Sequence, residues 1–353
     1  MQIVFRADAG VDIGIGHVMR CLTLADHLAK RGHRCRFVSR ERPGHMGAQI
    51  LARGHEVSLL PPTADGSGWL GTDQDLDVAA TLAVLGDAPV DWFVTDNYAI
   101  DSAWEQRARS RARHILAIDD LADRNHDCDL LIDQTLGRDA ADYSGLVPAH
   151  ATCLVGAGVA LLRPRFAQLR DSLPDRQIGV VRRLLVSLGG SDAANVTTDV
   201  LEAIDRCRWP EGIEVQVVLG NANPWIASVR QRAARSPWAV EVVVDTPDMA
   251  ELMAASDLAI GAAGTTSWER CCLGLPTIVV IAADNQRKIA AALAGAGAAI
   301  SLEISDRLVE DLAVTLASLA GDAMGVSAMS ERASALVDGL GCERVAAAME
   351  EMS

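Results

Sequence analysis

The sequence predicts an α/β protein of two doubly wound domains in tandem. Three observations lead there. Short apolar runs alternate with amphipathic stretches along the 353 residues. The alternation breaks over residues 164–183 and then resumes. Half the residues are hydrophobic but only 4% are aromatic, and Ala, Leu and Val dominate. Such a composition suits helix-covered sheets better than an all-β core.

The elements follow in order. "QIVF" reads as the first strand. Residues 17–30 carry Val18, Cys21, Leu22, Ala25, Leu28 and Ala29 as a helical stripe, and Gly32 ends it. "RCRFVS" is the next strand, "HMGAQILARG" a short helix closed by Gly54, and "HEVSLL" a further strand. Residues 61–75, rich in Pro, Gly, Asp and Ser, read as a loop. "VDWFVTD", "HILAID" and "CDLLID" complete the first strand series. After the break come "RLLVSLGG", "EVQVVLG", "VEVVVD", "DLAIG" and "TIVVIA". The expected division is a first domain over 1–165, a linker over 166–182 and a second domain over 183–353. Parallel sheets of this kind bind ligands beyond the carboxyl ends of their strands. The chemistry is therefore sought in loops that follow strands, at a cleft between the domains.

Bulk properties narrow the partners. The formal net charge is −15 and no basic run interrupts it, which argues against nucleic acid and anionic membrane surfaces. Backbone N–H groups and a few arginines can still hold a small anion. The eight cysteines form no C-x-x-C and no zinc pattern, so no metal is expected. The chain opens directly on the strand-like "MQIVFRAD", and no apolar run is long enough to span a bilayer. A reducing cytoplasm, no membrane anchor and a composition that permits a monomer are the expectations.

Four loops carry candidate residues. In "RADAGVDIGIGH" Gly14 and Gly16 let the backbone turn before a helix that opens at His17. The positive end of that helix disfavours protonation of His17, and a neutral imidazole is what a general base needs. The plainer alternative is a glycine turn with a satisfied histidine. "SLGGSDAAN" places Gly189, Gly190 and Ser191 where a phosphate can sit, although Ser191, Asp192 and Asn195 would serve equally as helix caps. "GAAGTTSWERCCLGLP" offers Gly264, Thr265 and Thr266 to a diphosphate and Glu269 to a ribose diol. Thr266 and Glu269 also match a capping box. "AADNQRK" presents Asn285 and Gln286 at a strand end, and "TDNYAID" presents Tyr98, either a cleft residue or a buried ring. No Walker A sequence, G-x-S-x-G elbow or H-E-x-x-H occurs. The first loop has Met19 where a dinucleotide fingerprint needs its third glycine, and Ser39 and Arg40 end the second strand where that fold needs an acid.

Taken together, "RADAGVDIGIGHVMRC", "TDNYAIDSAWE", "AIDDLADRNHDCDLLIDQ", "GAGVALLRPRF", "VSLGGSDAAN" and "GAAGTTSWERCCLGLPTIVV" with "NQ" resemble the hydrolase family of pseudaminic acid biosynthesis. Its members release 2,4-diacetamido-2,4,6-trideoxy-L-altrose from the UDP-linked sugar, in the pathway that serves flagellin glycosylation. The resemblance covers nearly the whole chain. It extends to spore-coat polysaccharide proteins and, more loosely, to the undecaprenyl-linked N-acetylglucosaminyltransferase of peptidoglycan synthesis. It implies a GT-B fold of two Rossmann-like domains, metal-independent and without cofactor. It further implies His17 as general base for water, attack with inversion at the anomeric carbon, and Tyr98 and Asn285 positioning sugar or water. Gly14, Gly16, Arg20, Gly189, Gly190, Ser191, Gly264, Thr265, Thr266, Glu269 and Gln286 would bind substrate or UDP. Asn97 stands where many relatives have histidine or serine, which argues against a chemical role. Nothing after residue 300 matches an assignable motif, although a terminal helix can cross back to the first domain in such folds.

Two other functions remain open. A glycosyltransferase would use the same donor site with a hydroxyl in place of water. A lipid acceptor would call for exposed apolar surface, and no such run occurs between residues 41 and 75. A catalytically idle nucleotide-sugar binding protein fits less well with His17, Tyr98 and Asn285 together.

Overall fold

A computed structural model describes residues 1–63, 68–173, 180–189, 192–221 and 223–353. The chain forms two compact units, Met1–Arg163 with Leu340–Ser353, and Pro164–Gly339.

The first unit holds seven strands, β1 (Gln2–Ala7), β2 (Arg34–Arg40), β3 (Glu56–Leu60), β4 (Val90–Asp96), β5 (Ala112–Ile118), β6 (Leu130–Asp133) and β7 (Thr152–Val155). All pair in parallel, in the order β3-β2-β1-β4-β5-β6-β7. The chain builds outward from β1 in one direction and then, from β4, in the other. β1 and β4 are therefore adjacent while their connections diverge, which opens a crevice beyond their carboxyl ends. The register sets Ala7 beside Asp96. Phe5, Phe37, Trp92 and the helix Gly16–Lys30 fill one core face; Phe93, Trp104 and Tyr143 fill the other.

The second unit repeats the plan with β8 (Arg183–Ser187), β9 (Glu214–Leu219), β10 (Ala239–Val244), β11 (Leu258–Ala262), β12 (Thr277–Ile281) and β13 (Ala299–Glu303). Their order is β10-β9-β8-β11-β12-β13, all parallel. The crevice here lies between β8 and β11.

Two differences from the sequence expectation concern the domain limits. Residues 164–172 form a helix of the second unit rather than a linker. Phe166 is fully buried there, and Arg170 donates to the carbonyls of Cys272, Ser334 and Val337. The last helix, Gly341–Glu351, belongs to the first unit rather than the second. Cys342, Val345, Ala346 and Met349 share a core with Val18, Cys21 and Leu22 of the first helix. That stripe was legible, but not the surface it covers. The expected loop at 61–75 is cut short by a helix from Gln74 to Leu85, capped by Asp73. Among the described residues, no single helix is long and apolar enough to cross a membrane.

Candidate active site

In the first unit the loop after β1 is closed by two bonds, from Gly10 N–H to the Gly14 carbonyl at 3.1 Å and from Gly14 N–H to the Gly10 carbonyl at 2.8 Å. Gly14 has φ +77°, a left-handed value that a side chain would strain. The loop then delivers Gly16 as the first residue of the helix and His17, only 8% exposed, as the second.

His17 Nδ1 lies 2.5 Å from Asp96 Oδ1. Asp96 ends β4, so strand adjacency brings it under a ring 79 residues away in sequence. Arg20, one helical turn after His17, donates from Nε to Asp96 Oδ2 at 2.6 Å and from Nη2 to Oδ1 at 2.7 Å. Its remaining nitrogen, Nη1, donates to both Asp120 oxygens, at 3.0 and 2.8 Å. The Tyr98 hydroxyl also donates to Asp120, at 3.1 Å. Burial would raise the Asp96 carboxyl, but Arg20 and then His17 hold it well below the usual carboxylate range. Burial and Asp120 push the Tyr98 phenol far up, so its proton stays on. An ionised Asp96 accepts from Nδ1–H, which leaves Nε2 as the ring nitrogen not committed to Asp96. The helix terminus is thus not the sole field at His17, as the sequence argument had it. Asp96 opposes it, and selects the tautomer as well.

Trp69, His17 and Tyr98 make three mutual edge contacts, with ring centroids 4.6–5.2 Å apart. Asn97 Nδ2 donates to the Asp8 carboxylate and to the Trp69 carbonyl, both at 3.2 Å. Arg20 is drawn into the Asp96–Asp120 network rather than left open to a ligand. Asp96, Asp120 and Trp69 escaped sequence reasoning. Asp96 had one signal, a carboxylate at the very end of a strand beside Tyr98.

The second unit gathers the other candidates. After β8, Gly189 takes φ +93°. Gly190 and Ser191 lie outside the described residues. Asp192 accepts from Val196 N–H at 2.9 Å and Thr197 N–H at 3.0 Å, so a carboxylate of the chain itself holds the amides that a phosphate would use there. After β11, the helix Thr265–Cys272 starts beyond Gly264. Gly264 is its N-cap and donates its N–H back to Ser267 Oγ at 3.3 Å. The alternative capping box of Thr266 and Glu269 does not form, because the helix begins before Thr266 and Glu269 falls inside it. Arg270 is buried directly under this turn. It donates to the Ala262 carbonyl at 2.8 Å, Ser267 Oγ at 3.1 Å and Thr266 Oγ1 at 3.2 Å. Gly261 must lack a side chain, since a Cβ would stand 2.6 Å from Arg270 Nη1. Burial pushes Arg270 down to about 10. The exposed Thr265 and half-buried Thr266 and Glu269 therefore sit over a buried positive charge at a helix N-terminus, a setting that suits an anion. After β12, a turn over Asp284–Gln286 leads into the next helix. Gln286 Oε1 accepts from Ala282 N–H at 2.9 Å, which turns it back on its own strand. The Asn285 side chain lies outside the described residues.

Known proteins share this architecture. Residues 184–340 match the glycosyltransferase family 28 C-terminal domain. The spore coat polysaccharide biosynthesis protein SpsG of Bacillus subtilis is 29% identical over 198 residues, 56% of this chain. The chain spans only 58% of that relative's length. The UDP-2,4-diacetamido-2,4,6-trideoxy-beta-L-altropyranose hydrolase of Campylobacter jejuni is 22% identical over 299 residues, 84% of this chain and 97% of that one. A crystal structure of MurG from Acinetobacter baumannii aligns over 100% of both chains with a TM-score of 0.69 at 16% identity, a likeness of fold. The fold is GT-B, and the second unit carries the likeness to the family 28 C-terminal domain.

Proposed function

We propose that the protein hydrolyses a UDP-linked 2,4-diacetamido-2,4,6-trideoxy sugar of the L-altropyranose type to the free sugar and UDP. The observation that carries this is the His17–Asp96–Arg20 arrangement, in which one imidazole nitrogen is committed to a held carboxylate. Water attacks the anomeric carbon and gives a proton to His17 Nε2. The bond from that carbon to the UDP oxygen breaks, UDP leaves with the electron pair, and configuration inverts. Asp96 stabilises the imidazolium that forms. Tyr98 and Asn285 position sugar or water. Gly264, Thr265 and Thr266, with Arg270 beneath, hold the diphosphate as negative charge develops on it. Glu269 takes the ribose hydroxyls. The likeness to the Campylobacter jejuni hydrolase over most of both chains supports the choice of sugar and of water as acceptor.

A GT-B glycosyltransferase with a UDP-sugar donor is the second reading, and two observations favour it. One is the family 28 match over 184–340. The other is exposed apolar residues in the first unit: Leu51 at 60%, Leu59 at 37% and Leu76 at 62%. The sequence had suggested no such surface between 41 and 75. Incubation with the UDP-sugar, a chelator and no acceptor separates the two. Release of sugar and UDP in equal amounts is expected; no release until an acceptor is added would establish the transferase.

A further inference from the structure

One ring at this site has no part in the proton path. Trp69 stands in the loop between β3 and the helix Gln74–Leu85. Its backbone is pinned. The Trp69 carbonyl accepts from Asn97 Nδ2 at 3.2 Å and from Arg42 Nη1 at 3.5 Å, and the Gly68 carbonyl accepts from Arg42 Nη2 at 3.0 Å. Leu70, next along, is 2% exposed in the core. Asn97 is itself held, bonded to Asp8 and to Ala99 N–H. Several polar contacts, most of them part-buried, thus place one indole. Core packing does not explain this placement. Trp92, Trp104 and Trp268 are at most 1% exposed, whereas Trp69 is only half-buried. It lies against the two rings that face the reacting sugar in the proposed reaction, 5.2 Å from His17 and 4.6 Å from Tyr98.

An indole face offers apolar area and no acceptor for a hydroxyl. A methyl group set against it leaves water favourably, while a hydroxyl there loses water without a partner. On the reading that His17 acts on a UDP-sugar, we infer that Trp69 is a specificity-determining residue, packing on the apolar surface of the glycosyl unit and selecting acetamido and deoxy sugars over fully hydroxylated ones. Apolar contacts of this kind discriminate by roughly 10- to 100-fold.

The test is calorimetric titration of the full-length protein with UDP-N-acetylglucosamine, UDP-glucose and UDP alone, for wild type, Trp69→Phe and Trp69→Ala. Wild type is expected to prefer UDP-N-acetylglucosamine over UDP-glucose by about tenfold or more. Trp69→Ala should bring that ratio near unity, Trp69→Phe should fall between, and the affinity for UDP alone should not move. The ratio also cancels any uniform loss from misfolding. The inference is overturned by a wild-type ratio near unity, by an unchanged ratio in Trp69→Ala, or by an equal loss for all three ligands. The UDP-release assay judges the underlying reading separately: binding with the expected ratios but no release without acceptor would remove the hydrolase and keep the role of Trp69.

Discussion

At the scale of single residues, Asp96 matters as much as His17. Replacing His17 by Ala should lower kcat by about 10²–10⁴, the range for a lost general base; single-turnover UDP release in a folded variant checks it. Asp96→Asn keeps the shape but no longer fixes the tautomer, and a loss of up to about 10⁴ in kcat is expected by analogy with other His–Asp pairs. The same change has a signature in stability. The Asp96 carboxyl is held below its ordinary value, near 3.9. Its contribution to folding is therefore complete above that value and disappears as pH falls toward the folded one. Urea unfolding followed from pH 7 to pH 3 should show a shallower acid loss in Asp96→Asn than in wild type. Identical slopes would mean that Asp96 is not the held carboxylate described here.

At the scale of elements, the turn after β5 supports the site from behind. Asp120 accepts from Arg20 and Tyr98, and its own carbonyl accepts from Arg138 Nη2 at 2.9 Å. Arg138 Nε donates to Asp133, and the Tyr143 hydroxyl lies within reach of both Asp119 and Asp133. Arg138→Met should loosen Asp120 and reduce kcat by about tenfold, while the affinity for UDP stays as it was. Comparing kcat with the Kd for UDP in one preparation tests this. This turn entered the sequence reading only as part of the family resemblance, with no role for its residues. "AIDDLADRNHD" reads as a strand end followed by charged residues, and nothing in its spacing says that Asp119 is buried in the core while Asp120 meets Arg20 and Tyr98. The loop after β1 was legible, because its glycines and the following apolar stripe are local signals. The loop after β8 was legible both as a place for a phosphate and as a helix start. There Asp192 accepts from the Val196 and Thr197 N–H groups, while Gly190 and Ser191 lie outside the described residues.

At the scale of the whole molecule, the chain returns to its first unit at the end. Gly341 makes the return possible, since a Cβ there would meet the Ala160 carbonyl oxygen at 2.2 Å. A chain ending at Gly339 should uncover Val18, Cys21 and Leu22 and lose several kcal/mol, on the order of 1.5–3 for each large apolar side chain no longer buried. Thermal unfolding should then show the first unit melting earlier while the second keeps its midpoint. A single unshifted transition would contradict the assignment of residues 340–353. The sequence by itself determined the alternation of strands and helices, the two-unit plan and the placing of His17 at a strand-to-helix turn. Those features follow from side-chain periodicity and glycine backbone freedom, which act over a few residues. Only the tertiary structure decided that β1 lies beside β4, that Asp96 and Asp120 reach His17 and Arg20, that Trp69 closes on the same ring, and that the last helix covers the first. These contacts join residues tens to hundreds apart, and they are selected by strand order and shared burial, which no local pattern encodes.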